Sequence, residues 1–135
     1  MARKVRTLLT YKHYLKQQPA SVCNFCNFDI SHNQVLAELP HFWVVKNIFP
    51  YSMWDNSHVT DHIMVVPKRH VYGVSEFTNE EQQEYVTALS SYEKTGYAFY
   101  TRNPGALTKS VPHQHTHAIQ LGKLVTPLSY VRVLI

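Results

Sequence analysis

The chain has 135 residues, 44% hydrophobic and 16% charged, with a formal charge of +4. That length and balance fit one compact domain over residues 1–135 with a real core, and they exclude a disordered or fibrous chain. The mild basic excess suits anionic small molecules or nucleic acid and decides neither. No apolar run approaches the ~20 residues of a spanning helix, so no membrane partner is expected.

The start is basic, with Arg3, Lys4, Arg6, Lys12 and Lys16. It lacks the apolar stretch of a secretory leader, which points to the cytosol. Val5, Leu8, Leu9 and Leu15 are spaced for a short amphipathic helix within residues 1–20, stopped by Pro19. Cys23 and Cys26 follow in a turn-rich knuckle from Val22 to Asp29. They are the only two cysteines. In a reducing compartment such a close pair signals metal or redox chemistry rather than a structural disulfide.

Two short strands come next, residues 35–39 and 42–46, joined at Pro40-His41. Residues 47–60 read as a polar and aromatic loop. His62-Ile63-Met64-Val65-Val66 is strongly β-prone and ends at Pro67. Thr78-Asn79-Glu80-Glu81 is a capping box, with Thr78 as N-cap. Tyr85, Ala88, Leu89 and Tyr92 mark one face of the helix it opens, and Gly96 stops it. Residues 97–102 form a strand, Asn103-Pro104-Gly105 a turn, residues 115–121 another strand and residues 130–135 a last one. Two helices with mostly antiparallel strands place the chain in the α+β class.

His113, His115 and His117 alternate. On a strand, a period of two turns all three imidazoles to one face, with Gln114 and Thr116 on the other. Buried imidazoles must be neutral or paired. Read alone, the run fits a catalytic cluster, a three-histidine metal site or surface histidines on an edge strand.

The wider pattern resembles the histidine-triad (HIT) nucleotide hydrolases and transferases. His113-Gln114-His115-Thr116-His117-Ala118-Ile119 is similar to their His-x-His-x-His motif, although Gln114 and Thr116 are polar where x is usually apolar. His62 through Pro67-Lys68-Arg69-His70 resembles their strand ending in Pro-Lys-x-His. Residues 42–51 resemble the strand and loop that hold the nucleoside, and Cys23-Asn24-Phe25-Cys26 resembles the knuckle of many bacterial members. The four motifs keep their order over residues 22–121.

The resemblance implies a HIT-like fold: a mostly antiparallel sheet with one main helix, preceded here by the N-terminal helix. It implies a nucleotide substrate, adenine-containing by analogy, attacked at its α-phosphate by His115 through a nucleotidyl-histidine. The ring would be neutral and locked in one tautomer by a backbone carbonyl near the third histidine. His117 would line the phosphate pocket and His62 would support the triad from the neighbouring strand. Asn47 would bind the ribose, with Ile48 or Phe49 against the base. Asn103, Gly105, Lys109 and Ser110 fall where the family contacts phosphate. There Lys109 replaces a frequent Gln and Thr108 a frequent Gly, and the turn is one residue short, so a lysine would meet the leaving group.

The resemblance also completes the cysteine pair into a structural zinc site, Cys23, Cys26, His70 and His113, with His41 and His58 as substitutes. It implies a homodimer. A second reading keeps the same zinc site but makes the chain a nucleotide- or nucleic-acid-binding module without turnover. A thiol redox protein would need a thioredoxin-like βαβ setting, which the sequence lacks.

Overall fold

The computed structural model describes residues 19–125. The expected N-terminal helix and the strand expected after residue 130 lie outside the described residues. Two 3-10 turns, Ala20–Val22 and Asn24–Asn27, build the cysteine knuckle. Then come β1 (Val35–Glu38), β2 (Phe42–Lys46), β3 (Met53–Trp54), β4 (Ser57–Pro67), helix α1 (Asn79–Glu93), β5 (Tyr97–Tyr100) and β6 (Thr116–Leu124). The sheet runs β1-β2-β4-β6-β5, and β3 pairs with β4 outside that path. Every pairing is antiparallel.

The inner strands β2, β4 and β6 carry the buried runs, Phe42–Val45, His62–Pro67 and Thr116–Ile119. Register puts Met64 and Tyr100 on either side of His117, and His62 beside Ile119. Alternation then gives the sheet two different faces. One face packs on α1: Phe42 and Val65 cluster with Val71, Phe77, Tyr85 and Leu89. Val44, Ile63 and Ala118 cluster with Tyr92, Tyr97 and Phe99. The other face packs on the knuckle: Trp43, Val45, Met64 and Val66 cluster with Phe25 and Phe28. Each large side chain fully buried in these layers contributes about 1.5–3 kcal/mol.

Helix α1 starts as the capping box dictates. Thr78 accepts from the Glu81 amide at 3.1 Å, and Glu81 returns a bond to the Thr78 amide at 2.8 Å. Glu81 is 2% exposed, and its carboxylate is also held by Arg69 at 2.8 Å. That pair holds its pKa below the ordinary carboxylate value. The helix is thereby tied to the end of the Pro-Lys-x-His segment. Gly96, at φ 97°, takes the left-handed position after the helix.

The expected loop over residues 47–60 holds only as far as residue 52; from Met53 the chain forms a β-hairpin, with β3 folding onto the first residues of β4. Its turn residues Asp55 and Asn56 have φ 52° and 55°, the paired positive values of a type I′ turn. Asn and Asp tolerate that conformation without glycine. No helix among the described residues is long and apolar enough to cross a membrane.

Candidate functional site

The triad histidines lie on one face, as alternation requires, but β6 begins only at Thr116, so His113 and His115 precede the ladder. Main-chain groups position them instead. The Gln114 amide donates to Val71 O at 2.7 Å, and Thr101 donates to His115 O at 2.9 Å. The intervening polar side chains find partners on the helix side. Gln114 donates to Thr101 at 2.7 Å, and Thr116 shares a 2.7 Å bond with Tyr85. This explains why Gln and Thr are tolerated where apolar residues are expected: their polar atoms are satisfied.

The acceptors around each ring determine where its proton sits. A carbonyl can only accept, so His113, 2.7 Å from Pro67 O, carries its proton on Nε2 and presents a bare Nδ1. His115 Nδ1 lies 2.9 Å from His113 O, so its proton is on Nδ1 and Nε2 is a bare lone pair. The locking carbonyl therefore belongs to the first histidine, not to one near the third as expected. The Tyr51 amide donates to His62 Nδ1 at 3.1 Å, which leaves the His62 proton on Nε2. That nitrogen lies 2.8 Å from His117 Nδ1.

Burial keeps these rings uncharged. It pushes His62, His113 and His115 down to about 4 and His117 down to about 2. For His115 the cations Lys109 and Arg102 push the same way, against its bond to His113 O. Phe25 from the knuckle meets the His115 ring edge-on at 5.2 Å and covers that side.

The expected metal ligands come together. Cys23 Sγ and Cys26 Sγ each lie 3.5 Å from His113 Nδ1, and Cys26 Sγ and His113 Nδ1 each lie 3.1 Å from His70 Nδ1. All four donor atoms fall within 4.8 Å of one another. A tetrahedron with zinc bonds of 2.0–2.3 Å has edges of about 3.3–3.8 Å, so the four atoms already stand close to its corners. The bond from His113 Nε2 to Pro67 O is the outer contact that aims such a ligand. The residues fit a zinc ion. His41 is engaged by Glu84 at 2.6 Å and His58 is exposed on β4, so neither substitutes.

The expected substrate contacts are more scattered. Asn47 approaches His62 Nε2 at 3.3 Å, and its carbonyl accepts from the Phe49 amide at 2.8 Å. Ile48 and Phe49 are 65% and 71% exposed beside it. Asn103 is exposed and bonds Pro104 O, and Gly105 has φ 81°, the left-handed value its turn requires. Ser110 is half-buried just ahead of the histidine run. Lys109 does not point into open space: it is buried and donates to Tyr72 O at 2.7 Å. Burial lowers its pKa.

Sequence reasoning missed two residues. Arg102 reaches back so that Nη1 lies 3.2 Å from His117 Nε2, while it donates to Tyr51 at 3.2 Å and to Thr108 at 2.9 Å. Tyr51 packs against His62 at 4.5 Å with the rings tilted by 45°, and stacks on Trp54 at 5.4 Å. The only signals were an arginine beside the Asn103 turn and the aromatic content of the supposed loop.

A sheet that carries alternating histidines at the head of an inner strand, with its helix packed on the opposite face, defines a histidine-triad type of domain. The HIT domain family model matches residues 30–123, and the chain belongs to that family. It is 28% identical over 109 residues to the protein hit of Bacillus subtilis, covering 74% of this chain and 71% of that one. Solved structures share the fold. A HIT family hydrolase from Legionella pneumophila Philadelphia 1 has a TM-score of 0.54 at 17% identity, with 78% of this chain and 96% of that one covered. A zinc-bound histidine triad family protein from Mycobacterium smegmatis has a TM-score of 0.57 at 16% identity, with 81% and 86% covered. The family match begins beyond Cys23 and Cys26, so the knuckle lies ahead of it.

Proposed function

We propose that the chain is a nucleotidyl hydrolase or transferase in which His115 Nε2 attacks the α-phosphate of a nucleotide. The observation that carries this reading is the 2.9 Å contact of His115 Nδ1 with His113 O, which leaves Nε2 unprotonated in a ring that burial keeps neutral. A neutral imidazole with one committed nitrogen is a ready nucleophile. Bond formation at Nε2 makes the ring cationic, and the His113 carbonyl takes up that charge through the Nδ1 proton. Water, or another acceptor, then displaces the nucleotide from the ring.

His117 and His62 line the phosphate side of this pocket. Asn47 holds the ribose, with Ile48 and Phe49 offering apolar surface to an adenine base. Asn103, Gly105 and Ser110 supply donors to phosphate oxygens, and Lys109 adds positive potential from beneath. Cys23, Cys26, His70 and His113 hold a structural zinc ion, which ties the knuckle to the catalytic segment and contributes directly to folding. The exposed edge of β5 supports a homodimer closed by pairing that strand with its copy. A close pair of cysteines suited to holding a metal supports a cytoplasmic enzyme.

The test is a screen of nucleotides carrying a labelled α-phosphate, quenched in acid-free denaturant to trap a labelled chain. Label retained on the wild type and absent from His115→Ala supports the reading. Nucleotide binding without turnover or label would instead identify a binding module. Sedimentation at micromolar concentration tests the dimer, and a monomeric mass would refute it.

A further inference from the structure

Lys109 is a cation that is buried and spent on the main chain. It is 5% exposed, and its Nζ donates to Tyr72 O at 2.7 Å. The same peptide group is gripped at its other end, where the Gly73 amide donates to the Glu76 carboxylate at 3.2 Å. The Tyr72 amide donates to that carboxylate as well, at 2.6 Å. One peptide dipole therefore lies between an anion at its N–H and a cation at its C=O, and each bond polarises the group for the other. Burial lowers the Lys109 pKa, and attraction to Glu76 works against that shift.

A second contact joins the same two segments. A Cβ on Gly73 would lie 2.8 Å from Pro104 Cγ and 3.2 Å from Pro104 Cδ. The Gly73 backbone is extended, with φ −160°, so glycine is needed there for room and not for conformation. Any side chain would push Pro104 away. The turn between Pro104 and Lys109 carries Gly105 and is flanked by Asn103 and Ser110. Within it the Ala106 amide donates to Asn103 O at 3.1 Å and the Lys109 amide to Ala106 O at 3.0 Å. Those two bonds shape the turn without fixing it on residues 70–76.

Resting on the nucleotide site proposed above, we propose that Lys109 and Gly73 are positioning residues that seat the turn 103–110 on segment 70–76, and that Lys109 itself does not touch the phosphate. Donors on a short exposed turn sample several positions unless the turn is anchored, and ordering them in advance removes that cost from binding. A phosphate needs the donors at Asn103, Gly105 and Ser110 in place together. A nucleoside, which meets Asn47, Ile48 and Phe49, does not. The two anchors therefore set how strongly the site prefers a nucleotide over its nucleoside.

The experiment measures binding of AMP and of adenosine by calorimetry to wild type, Gly73→Ala, Lys109→Met and the double variant. Gly73→Ala removes no charge and no donor. It is expected to weaken AMP by about tenfold, the equivalent of one charge-assisted hydrogen bond, and to leave adenosine within about twofold. Lys109→Met, which leaves Gly73 intact, is expected to weaken AMP at least as much. The double variant should be little weaker than Lys109→Met, because both changes release one turn. Unchanged AMP affinity in Gly73→Ala would overturn the proposal. So would equal losses for AMP and adenosine, which mark general damage to the fold. Amide hydrogen exchange tests the seating without any ligand. The Ala106 and Lys109 amides are expected to exchange about tenfold faster or more in both variants, while the amides of the β4–β6 ladder keep their protection. Unaltered exchange at Ala106 and Lys109 overturns the seating. If wild type binds neither AMP nor adenosine, the proposed function fails, while faster exchange confined to the turn in both variants still supports the seating.

Discussion

The two faces of the sheet are made by the same strands and differ residue by residue. Along β4, Ile63 and Val65 turn to the helix while His62, Met64 and Val66 turn to the knuckle. Across β6 the same split separates Thr116 and Ala118 from His117. The helix face is closed by apolar contacts and by the Tyr85–Thr116 and Gln114–Thr101 bonds. The knuckle face buries four imidazoles, each satisfied by a main-chain group or another ring. One face anchors the strands on which the other places its ring nitrogens. Substitutions should therefore divide by face, with activity lost on one and stability on the other.

The largest effect tests the chemical face. His115→Ala should reduce turnover by several orders of magnitude, since a nucleophile has no substitute. The thermal midpoint should change far less, because the helix face is untouched. Activity close to wild type in steady-state assays would remove His115 from its role. The knuckle itself comes next. Protein purified without chelator should carry about one zinc per chain by elemental analysis. Cys23→Ser or prolonged chelation should cost several kcal/mol of stability, read from denaturant melts, since metal binding is folding energy. A metal-free protein whose two thiols react freely in the native state would contradict the assignment.

Acid separates the faces again. His62 and His117 have folded pKa values depressed to about 4 and about 2, against 6.5 for a free imidazole. Below pH 6.5 the unfolded chain therefore binds protons that the native state refuses. The stability they contribute is complete above that value and is lost as pH falls towards 4, by up to about 1.4 kcal/mol per pH unit and histidine. Melting curves between pH 8 and 4 should show this slope, and His62→Gln should flatten it. An unchanged slope in that variant would place the acid sensitivity elsewhere. The smallest effect belongs to the helix face. Tyr85→Phe should cost about 1 kcal/mol for its bond to Thr116 and leave kcat/KM unaltered. A large kinetic defect would show that the faces are not independent.

Much of this division was legible beforehand. The capping box gave the helix start to the residue, the β-prone runs gave β2 and the core of β4, and the spacing of histidines gave their common face. The four expected metal ligands follow from motif positions and converge in space. What failed to show depended on reach or on the main chain. The β3–β4 hairpin was hidden because its turn is Asp-Asn without glycine, β3 is only two residues long, and β4 begins with Ser57 and His58, which carry no β signal. Arg102 was missed because a long side chain can act several residues from where its backbone sits. Lys109 was expected to meet the leaving group, yet a buried ammonium must bond the nearest acceptor, here Tyr72 O. The lock on His115 was misplaced because sequence names side chains and a carbonyl has no letter of its own.

Main-chain groups constrain how such a site drifts. The proton positions of His113, His115 and His62 are dictated by Pro67 O, His113 O and the Tyr51 amide. Two of these three are carbonyls and one is a peptide N–H, and no exchange of the side chain on the same backbone removes them, proline at residue 51 excepted. Residues around the triad are therefore free to diverge widely while the hydrogens stay where they are. A fold shared with proteins 16–17% identical is what such an arrangement tolerates. Mutational robustness here is a property of the peptide bond.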